Sequence, residues 1–461
     1  MRPVPILALI LALALPLAAP AETRVPINEG EIALSFAPVV RMASPAVVNI
    51  YARKVVATRV SPFADDPFFS QFFDFGDTVP RVQNALGSGV ILRADGIVVS
   101  NYHVVGGADE IRVVLNDRRE FDGRVILADE AADLAVLQLD GAENLPALML
   151  ADSDAAEVGD LVLAIGNPFG VGQTVTSGIV SGLARAGGGL GQGKGYFIQT
   201  DAPINPGNSG GALVTMKGEL LGINTSILSR SGGSNGIGFA IPSNLVARYV
   251  EAAEAGATEM VRPWSGIEVQ PVDTDMAEAL GLPGPHGVAV THLHPESPFA
   301  AAGLAAGDVM TALDGRPVDG PQELAYRLAI HRIGEALPVT YWHAGRLTEA
   351  EVTLIAAPGQ TTTSVTLGRG SVFAGLALAD LSPALIEKLG LPLTAEGVVV
   401  TEVSGPARRI GLTPGDIVTA LNGTPVRRAQ DFADLVAAGA RGWQVELVRD
   451  GQRGVIRLGA G

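Results

Sequence analysis

The chain has no cysteine in its 461 residues. Disulfides, thiol catalysis and thiolate metal sites are therefore excluded, and stability must come from buried cores. Aromatic residues are scarce at 5%, whereas 57 glycines and 30 prolines punctuate the chain. That balance suits a turn-rich, mainly β protein better than a helical bundle. Basic residues are in the minority, 32 against 48 acidic ones, for a formal charge of −16. Such a surface favours solubility and argues against a nucleic-acid partner. Histidine is rare as well: of six, only His103 precedes residue 286. Any imidazole chemistry in that first part of the chain rests on this one ring.

What is present begins with an export signal. Arg2 precedes an apolar run from Ile6 to Ala19, and Ala19-Pro20-Ala21 offers a small-residue cleavage site before Glu22. The run is short for a bilayer span, although an uncleaved anchor is the competing reading. Cleavage removes Arg2, leaving 31 basic against 48 acidic residues, a charge of −17. No later segment has an apolar run of spanning length, so no integral membrane span is expected in the mature chain.

The length points to about three folded units. Val39-Val40 and Ala46-Val47-Val48-Asn49-Ile50 read as a lead-in helix and first strand. A long loop follows between Ala57 and Gln83, carrying six of the fourteen phenylalanines: Phe63, Phe68, Phe69, Phe72, Phe73 and Phe75. It is either a short amphipathic helix packed on its own domain or an exposed apolar contact surface. Short β-type runs then recur between turn residues, from Gly87–Leu92 to Gly238–Ile241, about a dozen strands that fit two antiparallel barrels. Pro242-Ser243-Asn244 opens a helix to about Ala255, with Ser243 as its N-cap and Gly256 as its end.

The last two hundred residues or so contain an internal repeat. Pro298 to Val309 aligns with Pro406 to Ile417 at an offset of 108, and Leu313-Asp314-Gly315 falls on Leu421-Asn422-Gly423 at the same offset. Upstream, Ser265-Gly266-Ile267 matches Ala374-Gly375-Leu376. The Thr- and Gly-rich stretch from Ala357 to Gly370 reads as the linker between two copies of one small domain.

Chemistry concentrates in Asp201-Ala202-Pro203-Ile204-Asn205-Pro206-Gly207-Asn208-Ser209-Gly210-Gly211. Glycines at 207, 210 and 211 let the backbone turn sharply, and they leave the amides of Gly207 and Ser209 free to face an oxyanion. A serine nucleophile needs a base, and His103, at a strand-to-turn edge, is the available one. A carboxylate must then hold the imidazole. Asp133 opens the apolar strand Leu134-Ala135-Val136-Leu137, while Asp122, Asp129 and Asp140 compete from turn-like surroundings.

Asn101-Tyr102-His103-Val104-Val105, Asp133 to Leu137, Ala164 to Gly170, Gln199 to Gly211 and Gly236 to Pro242 together resemble the HtrA/Deg family of serine proteases over nearly the whole mature chain. The resemblance implies a chymotrypsin-like double β-barrel over residues 36–255 and two PDZ-like α+β domains over 262–356 and 371–460. It implies endopeptidase action on unfolded or misfolded exported proteins in the periplasm. His103 is then the base, Asp133 its orienter and Ser209 the nucleophile, with the Gly207 and Ser209 amides as oxyanion hole. Ile204 would line a small apolar primary pocket. Tyr102 departs from the smaller or polar residue that the family often has before the histidine.

The implied PDZ-like domains capture extended peptides as added strands, and their carboxylate-binding loops match Trp264-Ser265-Gly266-Ile267 and Phe373-Ala374-Gly375-Leu376. The second copy could instead serve assembly alone. The resemblance also implies mobile loops around the site, at Ala186–Gly195 and Ser229–Gly236. Unfolded proteins or peptides are the expected partners, together with further copies of the chain in trimers or multiples of trimers. A holdase chaperone binding unfolded chains, with proteolysis secondary, is the rival function.

No cofactor or metal is expected. Gly188 to Gly195 nearly spells a phosphate loop, but Gly195 replaces the Ser or Thr and a strand-like run follows. His292-Leu293-His294 lacks a third ligand in sequence. If the aromatic loop is an assembly surface, deleting residues 62 to 76 changes the mass measured by light scattering. An unchanged mass would return those phenylalanines to packing on their own domain.

Overall fold

The computed structural model describes residues 35–60, 77–167, 172–186, 195–205, 207–227, 234–359, 363–449 and 451–459. The export signal, the six phenylalanines, and most of the two loops near 190 and 230 lie outside these residues.

Two closed six-stranded barrels come first. The first holds β1 Val47–Val60, β2 Asp77–Ile91, β3 Ile97–Ser100, β4 Glu110–Val114, β5 Glu120–Asp129 and β6 Leu134–Leu139, in the order β1-β2-β3-β6-β5-β4. The second holds β7 Leu161–Gly166, β8 Thr174–Ala186, β9 Tyr196–Thr200, β10 Ala212–Thr215, β11 Leu220–Ile227 and β12 Gly238–Pro242, in the order β10-β11-β12-β9-β8-β7. Closure leaves no free sheet edge in either barrel. Part of the expected 57–83 loop is a ribbon, since β1 and β2 stay paired from Val47↔Val90 to Val60↔Asp77.

The helix Ser243–Glu254 follows, and its Val246, Tyr249, Val250 and Ala253 form one buried stripe against the first-barrel core. Its start differs from expectation. Pro242 occupies the N-cap position, and Ser243 is already helical, with its hydroxyl donating to the Ala151 carbonyl at 2.7 Å.

Each repeat forms its own antiparallel sheet around its own apolar cluster. The first contains β13 Ile267–Pro271, β14 Val288–Leu293, β15 Val309–Leu313, β16 Arg316–Pro317, β17 Ala336–His343 and β18 Arg346–Thr353. The second contains β19 Ser364–Thr366, β20 Leu376–Asp380, β21 Val398–Val403, β22 Ile417–Leu421, β23 Thr424–Pro425, β24 Trp443–Arg449 and β25 Gln452–Leu458. The 108-residue offset is visible in the backbone. Asp314-Gly315 and Asn422-Gly423 turn matching hairpins with φ of 52° and 68°, and 51° and 75°. Asp, Asn and Gly are the residues that tolerate this left-handed geometry. The copies differ by one strand, because β19 has no counterpart at the edge of the first sheet.

The first repeat is fastened to the second barrel through its helix Pro321–Ala329. Tyr326 stacks on Tyr196 with ring centroids 4.0 Å apart and planes 7° from parallel. Its hydroxyl donates to Asp154 at 3.2 Å, and burial pushes its phenol well above the usual range. Arg327 pairs with Asp154 at 2.5 Å, the two side chains being only 7% and 13% exposed. Removing one partner of so dry a pair strands the other charge. Arg327→Ala is therefore expected to weaken docking by about 3 kcal/mol. Small-angle scattering should report a larger radius of gyration, and an unchanged radius would show that the Tyr196–Tyr326 stack suffices.

Candidate active site

The nucleophile loop joins β9 to β10, and its glycines sit where side chains do not fit. Gly207 and Gly210 have φ of 100° and 81°, in the left-handed region. A Cβ on Gly210 would lie 2.1 Å from the Ser88 carbonyl oxygen, and one on Gly211 would lie 2.3 Å from that of Ile165. Asp201 anchors the base of the loop by accepting the Ile179 amide at 2.7 Å. Among the described residues, the amides of Gly207 and Ser209 have no hydrogen-bond acceptor. They are available to a developing oxyanion.

The first barrel supplies the other half. His103 lies in the short helical turn Tyr102–Val105 after β3, and its ring is half exposed. Its Nδ1 is 2.9 Å from both carboxylate oxygens of Asp133, and its backbone amide donates to Oδ1 at 3.0 Å. Asp133 itself has φ of 53°, in the left-handed region that aspartate tolerates. The Asn101 side chain holds it there, donating to the Asp133 carbonyl at 2.9 Å.

Of the competing carboxylates, Asp129 is engaged by the Tyr249 hydroxyl at 2.7 Å and by Arg262. Asp140 pairs with Arg124 at 3.4 Å, and Asp122 lies opposite Arg112 in the β4–β5 ladder. The geometry thus brings Asp133 to His103.

Two residues passed over in the sequence complete the arrangement. Thr225 donates its hydroxyl to Asp133 Oδ2 at 2.6 Å, and its carbonyl accepts the Ser209 hydroxyl at 3.0 Å. Ser88, fully buried on β2, clamps the nucleophile loop to the first barrel. Its amide donates to the Ser209 carbonyl at 2.8 Å, its hydroxyl donates to the Gly207 carbonyl at 2.7 Å, and that oxygen accepts the Asn167 amide at 2.9 Å. The sequence signal for Ser88 was Gly87-Ser88-Gly89, two glycines inside a strand, where close backbone approach is expected. A Cβ on Gly87 would lie 2.6 Å from Val104 and 3.3 Å from the Ser209 carbonyl oxygen.

A family model described as a trypsin-like peptidase domain matches residues 87–223, and two described as PDZ domains match 264–354 and 399–448. The periplasmic pH-dependent serine endoprotease DegQ of Escherichia coli K12 is 39% identical over 420 residues, covering 90% of this chain and 89% of that protein. The chain belongs to the HtrA family. Periplasmic serine endoprotease DegP of Salmonella typhimurium is 39% identical over 381 residues, 82% of this chain and 77% of its own length. A solved structure of the HtrA-type protease AlgW with decapeptide is 41% identical, with a TM-score of 0.52 over 70% of this chain and 99% of that one. This HtrA protein is a serine endopeptidase with a double-barrel protease fold and PDZ domains.

The remaining candidates take different positions. Ile204 is buried in the second-barrel core, with its Cδ1 against Gly238. In the first PDZ domain Trp264 is buried and carries the His294 ring edge-on at 5.3 Å. Gly266 has φ of 62°, and neither its amide nor that of Ser265 finds an acceptor among the described residues. Ile267 starts the edge strand β13. In the second domain Phe373 and Leu376 are fully buried, and the Gly375 amide already donates to the Leu367 carbonyl. His292 pairs with Glu268 at 2.9 Å. Among the described residues no cluster of three potential metal ligands occurs.

A hydrogen bond to a charged group contributes about 1.5–3 kcal/mol. Thr225→Val, which removes the donor to Asp133 while keeping the shape, is accordingly expected to lower kcat by roughly tenfold or more. A rate within twofold of the parent on a peptide substrate would show that Asn101 and the His103 amide hold Asp133 unaided.

Proposed function

We propose that this HtrA protease is an ATP-independent endopeptidase that cleaves unfolded or misfolded exported proteins in the periplasm. His103 is its general base, Asp133 the orienting carboxylate and Ser209 the nucleophile. The observation that carries the reading is the His103–Asp133 contact, both carboxylate oxygens at 2.9 Å from Nδ1, together with a serine loop whose Gly207 and Ser209 amides have no acceptor among the described residues.

With Nδ1 held by Asp133, Nε2 is left to receive a proton. The Ser209 hydroxyl turns from the Thr225 carbonyl toward the imidazole, hands over its proton and attacks the scissile carbonyl. The amides of Gly207 and Ser209 take the oxyanion charge. The imidazolium, offset by Asp133, then protonates the leaving amine. Water, deprotonated by the same ring, releases the acyl group from Ser209. Every step uses this chain's own groups. A pure chaperone would have no need of the three residues together.

Ile204 and its contact with Gly238 favour a shallow apolar primary pocket and small aliphatic side chains at the cleaved bond. Trp264, Gly266 and Ile267 form the cradle for a peptide carboxylate, with β13 as the edge on which the peptide adds as a strand. Phe36 and Met42, 37% and 58% exposed around the helix Ala37–Ala43, offer apolar surface for assembly into trimers or multiples of trimers.

Ser209→Ala is expected to lower the rate of casein cleavage by on the order of 10⁴ to 10⁶ and to abolish labelling by a fluorophosphonate. Degradation by the purified variant at the parent rate would overturn the assignment.

A further inference from the structure

We infer that the peptide groove of the second PDZ domain is filled by the chain's own connecting segment, Thr363 to Leu367, as a built-in ligand. The inference rests on the reading of these domains as peptide-capture modules.

Strand β19 pairs antiparallel with β20 in the register Ser364↔Ala379, Val365↔Leu378 and Thr366↔Ala377. The Asp380 amide extends the ladder by donating to the Thr363 carbonyl at 3.0 Å. Capture by strand addition consists of such a ladder along a sheet edge. The C-terminal end of the segment reaches the glycine-containing loop. There the Leu367 amide donates to the Leu376 carbonyl, and the Leu367 carbonyl accepts the Gly375 amide, both at 2.9 Å. A backbone carbonyl thus stands where a captured peptide would present its carboxylate.

The Leu367 side chain, 8% exposed, belongs to the same apolar cluster as Phe373, Leu376 and Phe432, and Val365 packs against that cluster. Contacts with the helix Ala429–Ala438 place the segment between that helix and β20. The loop's other amides are satisfied internally. Phe373 donates to the Ser371 hydroxyl and Ala374 to the Ser371 carbonyl, both at 3.1 Å, and Leu376 donates to the Phe373 carbonyl at 3.0 Å.

The first domain is wired differently because its lead-in is tied elsewhere. Arg262 reaches Asp129 and the Tyr249 hydroxyl on the protease domain, and the Trp264 amide donates to the Ile355 carbonyl at 2.8 Å. That lead-in does not return along β13, which remains the outermost strand of its sheet. Each chain therefore carries one groove whose edge has no paired strand among the described residues, with the Leu393 amide donating to Glu268 of β13 at 2.8 Å, and one latent groove. The latent one fits an extended peptide ending in an aliphatic residue, once the strap is lifted.

The test uses the full chain with Ser209→Ala, to spare the probe from cleavage, and the pentapeptide Thr-Ser-Val-Thr-Leu with a free carboxylate. Titration calorimetry on this protein and on the same protein carrying Leu367→Asp should show one more bound peptide per chain in the second. Equal, non-zero stoichiometry overturns the built-in ligand while leaving peptide capture standing. Absence of binding to both overturns peptide capture, and the inference falls with it. Should Leu367→Asp unfold the domain, hydrogen exchange on the unsubstituted chain decides the matter. Amides of β20 should exchange roughly tenfold more slowly than those of β13. Equal exchange overturns the proposal.

Discussion

Ser209 and the His103–Asp133 pair belong to different barrels, so the proposed site depends on holding one barrel's loop against the other. Ser88 does this with three short contacts. Its amide and hydroxyl donate to the carbonyls of Ser209 and Gly207, and its oxygen accepts the Asn167 amide. Because Ser88 is fully buried, each of these polar groups would be costly to leave unpaired, which makes the clamp rigid. The glycines beside it are crowded too: a side chain at 210 would meet the Ser88 carbonyl, and one at 87 would meet the Val104 side chain.

Thr225 links the two halves a second time, with its side chain on Asp133 and its carbonyl on the Ser209 hydroxyl. The Ser209 hydroxyl rests on a backbone carbonyl. The His103–Asp133 half is already assembled, with the left-handed backbone of Asp133 held by Asn101.

The two PDZ domains show how one sequence pattern takes two states. Matching hairpin turns and matching cores build the same scaffold twice. What differs is the segment leading into each. Arg262 draws the first lead-in toward Asp129, so β13 stays at the sheet edge, whereas Leu367 folds the second back onto β20. The helix Pro321–Ala329, fastened to the second barrel through Arg327 and Tyr326, keeps the open domain close to the protease.

Local chemistry was legible in the sequence: short β-type runs between turn residues, the serine loop with its three glycines, the single upstream histidine and the 108-residue repeat. Each depends on neighbours along the chain, and short-range backbone preferences settle such features. Ser243, expected as an N-cap, turned out to be helical because a distant carbonyl, Ala151, takes its hydroxyl. The choice of Asp133 over Asp129, the roles of Ser88 and Thr225, and the filling of one groove but not the other were decided by tertiary structure. All of them turn on which polar groups meet across gaps of eight to more than a hundred residues. A buried polar group accepts whichever partner the fold presents, and linear order does not record that choice.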